Sequence, residues 1–401
     1  MTRLMERYEG VWDLPQGKSG GDAAEVVDRT SGASASLSGD VLADESGGDP
    51  GIDAGGAGFA RSFADADADA GPGVADDFIR LRAELRVRHR TWATEKAYCG
   101  WVTRFVAFHG GQDPRGFQRA EIEAFLNHLA TDLGVSASTQ NQALNALQFF
   151  YRYVVGRRMG ELHGLVRAKR PARLPVVMTP REVERVLSHL RGDPLQVAVL
   201  GWGGGLRLLE ALRLRVQDVD FERREVRVRD GKGRRDRLTV LPERAVAPLR
   251  RRIERALELH AQDRADGHGE VELPDALARK YPRAGLEPRW QYVFPADRLS
   301  VCKRSGRVGR HHVFETTVQR RVKEAAERAG IPKKVTPHTF RHSFATSLIE
   351  NGYDIRTVQE LLGHRSVKTT MIYTHVLNRG GRGVRSPADV ALALDSIGGP
   401  A

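Results

Sequence analysis

Apolar side chains recur at helical spacing from Asp76 to about Val155. Tyr98, Trp101, Val102, Phe105 and Phe108 share one face of a helix that Gly110 and Gly111 stop. Ile122, Phe125, Leu126 and Leu129 mark a second helix, and Leu144, Leu147, Tyr151 and Val154 a third. With a leading helix over 77–88 they predict a four-helix module in which the aromatic stripe is core. The pattern restarts at Thr179, Pro180 and Glu182, a capping box with proline at the first helical position. Helices are expected to about 190, over 194–202, and again after the glycines at 203–205, the last carrying Arg207 and Glu210. Residues 225–229 and 237–241 alternate as strands around Asp230 and Gly231, a hairpin signal. Helices over 243–263 and 314–330, short ones at 274–280 and around Tyr373, and a strand at 291–294 complete the reading. The expected fold is mainly α, with an N-terminal four-helix domain and an α+β domain holding a small antiparallel sheet.

Composition divides the chain further. Residues 1–70 hold 14 acidic against 5 basic side chains, leaving 58 basic and 37 acidic residues in the remainder. A body that basic favours a polyanion, and nucleic acid is the commonest one. The Gly-, Ala-, Ser- and Asp-rich start carries too little apolar material to offset ordering entropy, so residues 1–72 read as a disordered acidic extension. The helical module then spans 73–160, a basic linker with Lys169, Arg170 and Arg173 spans 161–178, and the second domain spans 179–395. No apolar run approaches a membrane span, no secretory signal is visible, and two cysteines, Cys99 and Cys302, cannot staple 401 residues. A reducing cytoplasm is the expected compartment, with no membrane partner.

The last third holds the candidate chemistry. Thr336 and Pro337 open a helix whose first turns place His338 and Arg341 on one face. Arginine suits a phosphate oxygen, because its planar fork donates two parallel hydrogen bonds and stays charged. Arg207 follows three glycines, which let backbone approach a ligand and leave amides free for an anion. A nucleotide-binding loop fits poorly, since no Lys-Ser/Thr pair follows. His364 comes after the helix stop Gly363, and Tyr373 lies nine residues further on. A free tyrosine ionises near pH 10, so a nucleophilic Tyr373 would need nearby cations to favour its phenolate. His338 and His342 have the spacing of a zinc pair, but no glutamate lies between them and Arg341 would repel a dication. Neither a metal nor another cofactor is expected.

These motifs, in this order, resemble the active-site signature of tyrosine site-specific recombinases. In that family the glycine motif carries a tyrosine and a threonine where this chain has Trp202 and Gly204. The resemblance implies six catalytic residues: Arg207, Lys232, His338, Arg341, His364 and the nucleophile Tyr373. Lys232, at the hairpin tip, would protonate the leaving 5′ oxygen, and His338 or Lys232 would take the tyrosine proton. His364 would support the scissile phosphate. It further implies DNA clamped between two domains, cleavage through a 3′-phosphotyrosine, and a homotetramer on DNA from a protein that is monomeric when free.

Segments 271–286, 309–313, 352–359 and 381–387 resemble one branch, the integron integrases. An insertion at about 271–290 would bind an extrahelical base of a folded single-strand site through Lys280, Tyr281, Arg283 and Trp290. The final helix, 387–394, would dock on a neighbouring protomer. The rivals are a phage- or Xer-type recombinase of duplex sites and a non-catalytic DNA-binding protein. The second would be expected to lack one of the catalytic residues, and none is missing.

Overall fold

The computed structural model describes residues 72–157, 174–229, 236–273, 275–302 and 306–374. The acidic extension, most of the basic linker with Lys169, Arg170 and Arg173, the hairpin tip with Lys232 and the final helix lie outside them. The described residues form two compact units. No described helix is long and apolar enough to cross a membrane.

The first unit is a bundle of α1 (Pro72–Val87), α2 (Trp92–Phe108), α3 (Arg119–Thr131) and α4 (Ala137–Phe150). Thr91 and Ser136 cap α2 and α4 through their hydroxyls, and Gln118 with Glu121 forms a capping box on α3. The stripe is core, as its spacing predicts, at Tyr98, Trp101, Val102 and Phe105, whereas Phe108 at the end of α2 is exposed and stacks on His128. Phe105 is fully buried, with the rings of Phe117, Phe125 and Tyr151 set edge-on around it.

In the second unit α5 (Pro180–Ser188) starts at the predicted Thr179 box and leads to α6 (Gly192–Gly204). Then come α7 (Leu208–Leu212), β1 (Val219–Asp220), β2 (Glu225–Val228), β3 (Arg237–Val240), α8 (Glu243–Ala265) and α9 (Asp275–Lys280). After β4 (Ser300–Val301) and β5 (Val308–Gly309) the chain forms α10 (Glu315–Arg328), α11 (Pro337–Glu350), α12 (Ile355–Leu362) and α13 (Val367–Thr370). The sheet runs β1-β2-β3, antiparallel throughout, with Val226 opposite Thr239 and Val228 opposite Arg237. Alternation decides which way β3 faces: Arg237 and Thr239 point inward, while Leu238 and Val240 are exposed. The apolar helix α6 lies in the core with Val226, Leu249, Val318, Val322 and Phe340. The mainly α architecture with a small antiparallel sheet is the one expected.

Two local readings change. Residues 291–294 are not a strand: Tyr292 makes one isolated bridge to Arg215, and backbone bonds Val216 to Gln291 and Val293 to Leu214 hold a loop bounded by Pro288 and Pro295. The strands β1, β4 and β5 have two residues each, too few for alternation to register in a sequence.

Candidate active site

Five of the six residues expected to be catalytic lie among the described residues, and four converge where the end of α6, the start of α7, α11, the end of α12 and Tyr373 meet. The glycine run explains the convergence. A Cβ on Gly203 would stand 2.3 Å from Pro242, and one on Gly205 would stand 2.6 Å from the Phe344 ring. Only glycine lets α6 end this close to β3 and α11, and Gly205 turns the chain at φ +65°. The run serves close packing here rather than an anion cradle. Arg207 is the N-cap of α7 and not inside it, and its amide is already taken by Glu210 Oε2 at 2.8 Å.

Glu210 is the hub. Its carboxylate receives Arg207 Nη1 at 2.6 Å and both arms of Arg237, at 2.9 and 2.6 Å, with Arg341 Nη1 at 3.7 Å. Burial pushes its pKa up, but the Arg237 hydrogen bond and the charges of Arg237, Arg207 and Arg341 outweigh that and bring it to about 2. Three guanidinium groups around one carboxylate leave a net positive site.

Arg341 is buried, with Nη1 on the Gly205 carbonyl and Nη2 on the Leu362 carbonyl at 2.6 Å. Burial and then the Arg207 charge lower its pKa to about 9, still cationic at neutral pH. Nη2 also lies 3.2 Å from His364 Nε2. Arginine can only donate, so this nitrogen of His364 accepts and its Nδ1–H donates to Thr370 Oγ1 at 3.0 Å. Burial and the charges of Arg341, Arg207 and Arg237 hold His364 neutral, with a pKa of about 3. Gly363, left-handed at φ 62°, ends α12 and delivers it.

Ser366 caps α13, its hydroxyl accepting from the Lys368 amide, and a 3-10 turn over Met371–Tyr373 follows. Tyr373 is 1% exposed, stacked on His364 with ring centroids 6.3 Å apart. Its hydroxyl meets His342 Nδ1 at 2.9 Å. Burial raises the Tyr373 pKa, and Arg341 and Arg207 oppose it without reversing it. The cations therefore do not preform a phenolate in the free chain, and a nucleophilic Tyr373 would need a base to take its proton. His342 is placed for this: burial, then His338 and Arg341, hold it neutral with a pKa of about 4. His338, expected as an acceptor, stands at the rim one turn before His342, ring centroids 6.4 Å apart, with a solvent-open face. Crowding on its protein side and the charges of Arg341 and Arg207 lower its pKa.

His342, Arg237 and Thr370 escaped the sequence reading. A signal existed for His342, one turn after His338 on the same face, but it read there only as half of a rejected zinc pair. Among the described residues no cluster of three or more metal-ligating side chains occurs.

The insertion divides in two. Lys280, Tyr281 and Arg283 are exposed, with the Lys280 ammonium 5.3 Å from the Tyr281 ring centre. Trp290 is 8% exposed, packed with Val271, Leu273, Ala284 and Tyr292 under the Arg229 guanidinium. It is core, and the expectation that it stacks a base is corrected: a ring covered on both sides has no face to offer.

The phage integrase family profile matches residues 177–379, and that of the phage integrase N-terminal SAM-like domain matches 78–161. An integrase/recombinase of Escherichia coli and one of Pseudomonas aeruginosa are each 50% identical over 317 residues, 79% of this chain and 94% of theirs. The tyrosine recombinase XerD of Bifidobacterium longum is 33% identical over 76% of this chain and 94% of its own. In fold, the chain is similar to a XerH site-specific recombinase bound to a palindromic difH substrate in a post-cleavage complex. That match has a TM-score of 0.50 and 18% identity, over 80% of this chain and 85% of that one. The chain belongs to the phage integrase family of tyrosine recombinases, enzymes that cut and rejoin DNA.

Proposed function

We propose that this recombinase is an integron-type integrase, joining and excising gene cassettes through a 3′-phosphotyrosine at Tyr373. The observation that carries the chemistry is the Tyr373 hydroxyl on His342 Nδ1 at 2.9 Å, beside the Arg207–Glu210–Arg341 cluster. Tyr373 Oη attacks phosphorus as His342 Nδ1 takes its proton. Arg207 and Arg341 balance charge on the non-bridging oxygens, and neutral His364 braces Arg341. Lys232 donates a proton to the departing 5′ oxygen, and His338 supports the phosphate from the rim. The phosphotyrosine keeps the energy of the broken bond, so rejoining needs neither nucleotide nor metal. Four protomers on two sites would exchange strands, and Lys169, Arg170 and Arg173 would track the backbone between the domains.

Support for the cassette-site reading is the insertion, where an exposed tyrosine stands between two exposed cations, Lys280 and Arg283. Such a group can stack an unpaired base, worth roughly 1–3 kcal/mol, while the cations meet flanking phosphates. Tyr281→Ala should slow recombination of a folded single-strand site with an extrahelical base by about 5- to 150-fold, and a simple duplex site far less. Equal loss on both substrates would overturn the cassette reading and favour a duplex-site recombinase.

A further inference from the structure

One cation of the site has no part in the scheme above. Arg237 opens β3 with its side chain 9% exposed and forks onto both oxygens of Glu210, at 2.9 and 2.6 Å. Its Nε donates to the Leu361 carbonyl at 2.9 Å in the last turn of α12. Its Cδ would lie 2.7 Å from a Cβ on Gly363, the residue that presents His364. One planar group therefore joins the edge strand, the carboxylate that holds Arg207, and the helix end that carries His364.

The count of hydrogen bonds gives this a purpose. An ionised carboxylate offers about four lone-pair directions. Glu210 fills four, two with Arg207 and two with Arg237. Arg341 Nη1, at 3.7 Å, is near enough to feel the charge but too far for a hydrogen bond. Were Arg237 absent, each oxygen would lose a donor, Oε2 at 3.7 Å from Arg341 Nη1 among them, and the carboxylate would draw that guanidinium away from a phosphate. We propose that Arg237 is a positioning residue: by saturating Glu210 and pinning the end of α12, it keeps Arg207 and Arg341 aimed at the scissile phosphate without touching DNA itself. This rests on the reading of Arg207 and Arg341 as the phosphate clamp.

A residue that only held the fold together would also lower activity, so the test must be blind to folding. Exchanging one non-bridging oxygen of the scissile phosphate for methyl removes its negative charge and with it the need for an aimed guanidinium. Single-turnover strand cleavage by the full-length chain would be followed on the phosphate and methylphosphonate substrates, for wild type, Arg237→Gln, Arg237→Lys and Arg207→Ala. On phosphate, Arg237→Gln should be slower by about 10²–10³-fold, the scale of losing one transition-state donor. Arg237→Lys should recover little, since an ammonium cannot fork onto both oxygens. On methylphosphonate the deficit of both Arg237 variants should shrink to less than about tenfold. If Arg207→Ala is relieved on methylphosphonate but the Arg237 variants are not, Arg237 is structural and the proposal falls alone. If Arg207→Ala is not relieved either, the clamp reading itself is wrong. Should Arg237→Gln fail to fold, Arg237→Lys, which keeps the charge, decides the matter on the same pair of substrates.

Discussion

Replacing Glu210 by glutamine keeps the size of the side chain and removes its charge, which isolates what that charge contributes to the folded site. In the folded chain the carboxyl titrates at about 2, against an ordinary 4.5. The lowered pKa means a stabilising contribution present above pH 4.5 and lost as pH falls through 2. At about 1.4 kcal/mol per tenfold change in proton affinity, the contribution at pH 7 is about 3 kcal/mol. A 9% exposed side chain needs little discount for solvent screening. The figure agrees with the roughly 3–5 kcal/mol lost when one partner of a buried ion pair is removed. Protonated glutamate resembles glutamine, so the gap between wild type and Glu210→Gln should narrow to about 1 kcal/mol at pH 3. Urea denaturation of both proteins at pH 7 and pH 3 measures it, since guanidinium salts would screen the ion pairs. A gap that stays constant across that range, or is under about 1 kcal/mol at pH 7, would refute the account of Glu210 as the charged hub.

Tyr373→Phe should abolish the covalent protein–DNA adduct on denaturing gels while DNA affinity in a mobility-shift assay stays within about threefold, because only the attacking oxygen is lost. His342→Gln should slow adduct formation by about 10²–10³-fold. With a His342 pKa of about 4, the wild-type rate should fall as pH drops through that value and the base becomes protonated. A pH–rate profile of His342→Gln that keeps that limb would acquit the residue. Trp290→Ala should cost about 3–5 kcal/mol of stability as a core truncation, and Tyr281→Ala less than about 0.5 kcal/mol, by thermal unfolding.

What periodicity can report, the sequence reported well. Phe105, Phe125 and Leu147 declared their helices because a buried face repeats at the helical period, and alternation announced β2 and β3. Contacts across long separations left no such trace. Nothing about Trp290 distinguishes a stacking platform from a core aromatic until Val271, Leu273 and Tyr292 are seen to cover it. Arg237 stood in a basic hairpin where only Lys232 was singled out, and its inward register on β3, with both arms on Glu210, is what marks it. His342 shows the limit of motif reading: the pair with His338 was visible, but the partner that gives it meaning lies 31 residues away. Tyr373 was found through its upstream motifs, yet its burial, and so its raised pKa, follows from the packing of α11, α12 and Trp202 of α6.

The distances along the chain between the groups that assemble the site bear on when the enzyme can first act. Arg341 reaches Gly205 across 136 residues, Arg237 reaches Leu361 across 124, and the Met178 amide closes on Ser343 across 165. Contacts this remote form late, because loop closure must precede any gain from them. During synthesis a nascent chain can complete the helical bundle and the hairpin while still lacking α11, α12 and Tyr373. With Tyr373 as the proposed nucleophile, such an intermediate holds much of the basic surface but lacks the attacking group, so a ribosome-bound or prematurely ended chain would associate with DNA without breaking it. The order of residues along the polypeptide thus delays the hazardous chemistry until the rest of the catalytic unit has been made.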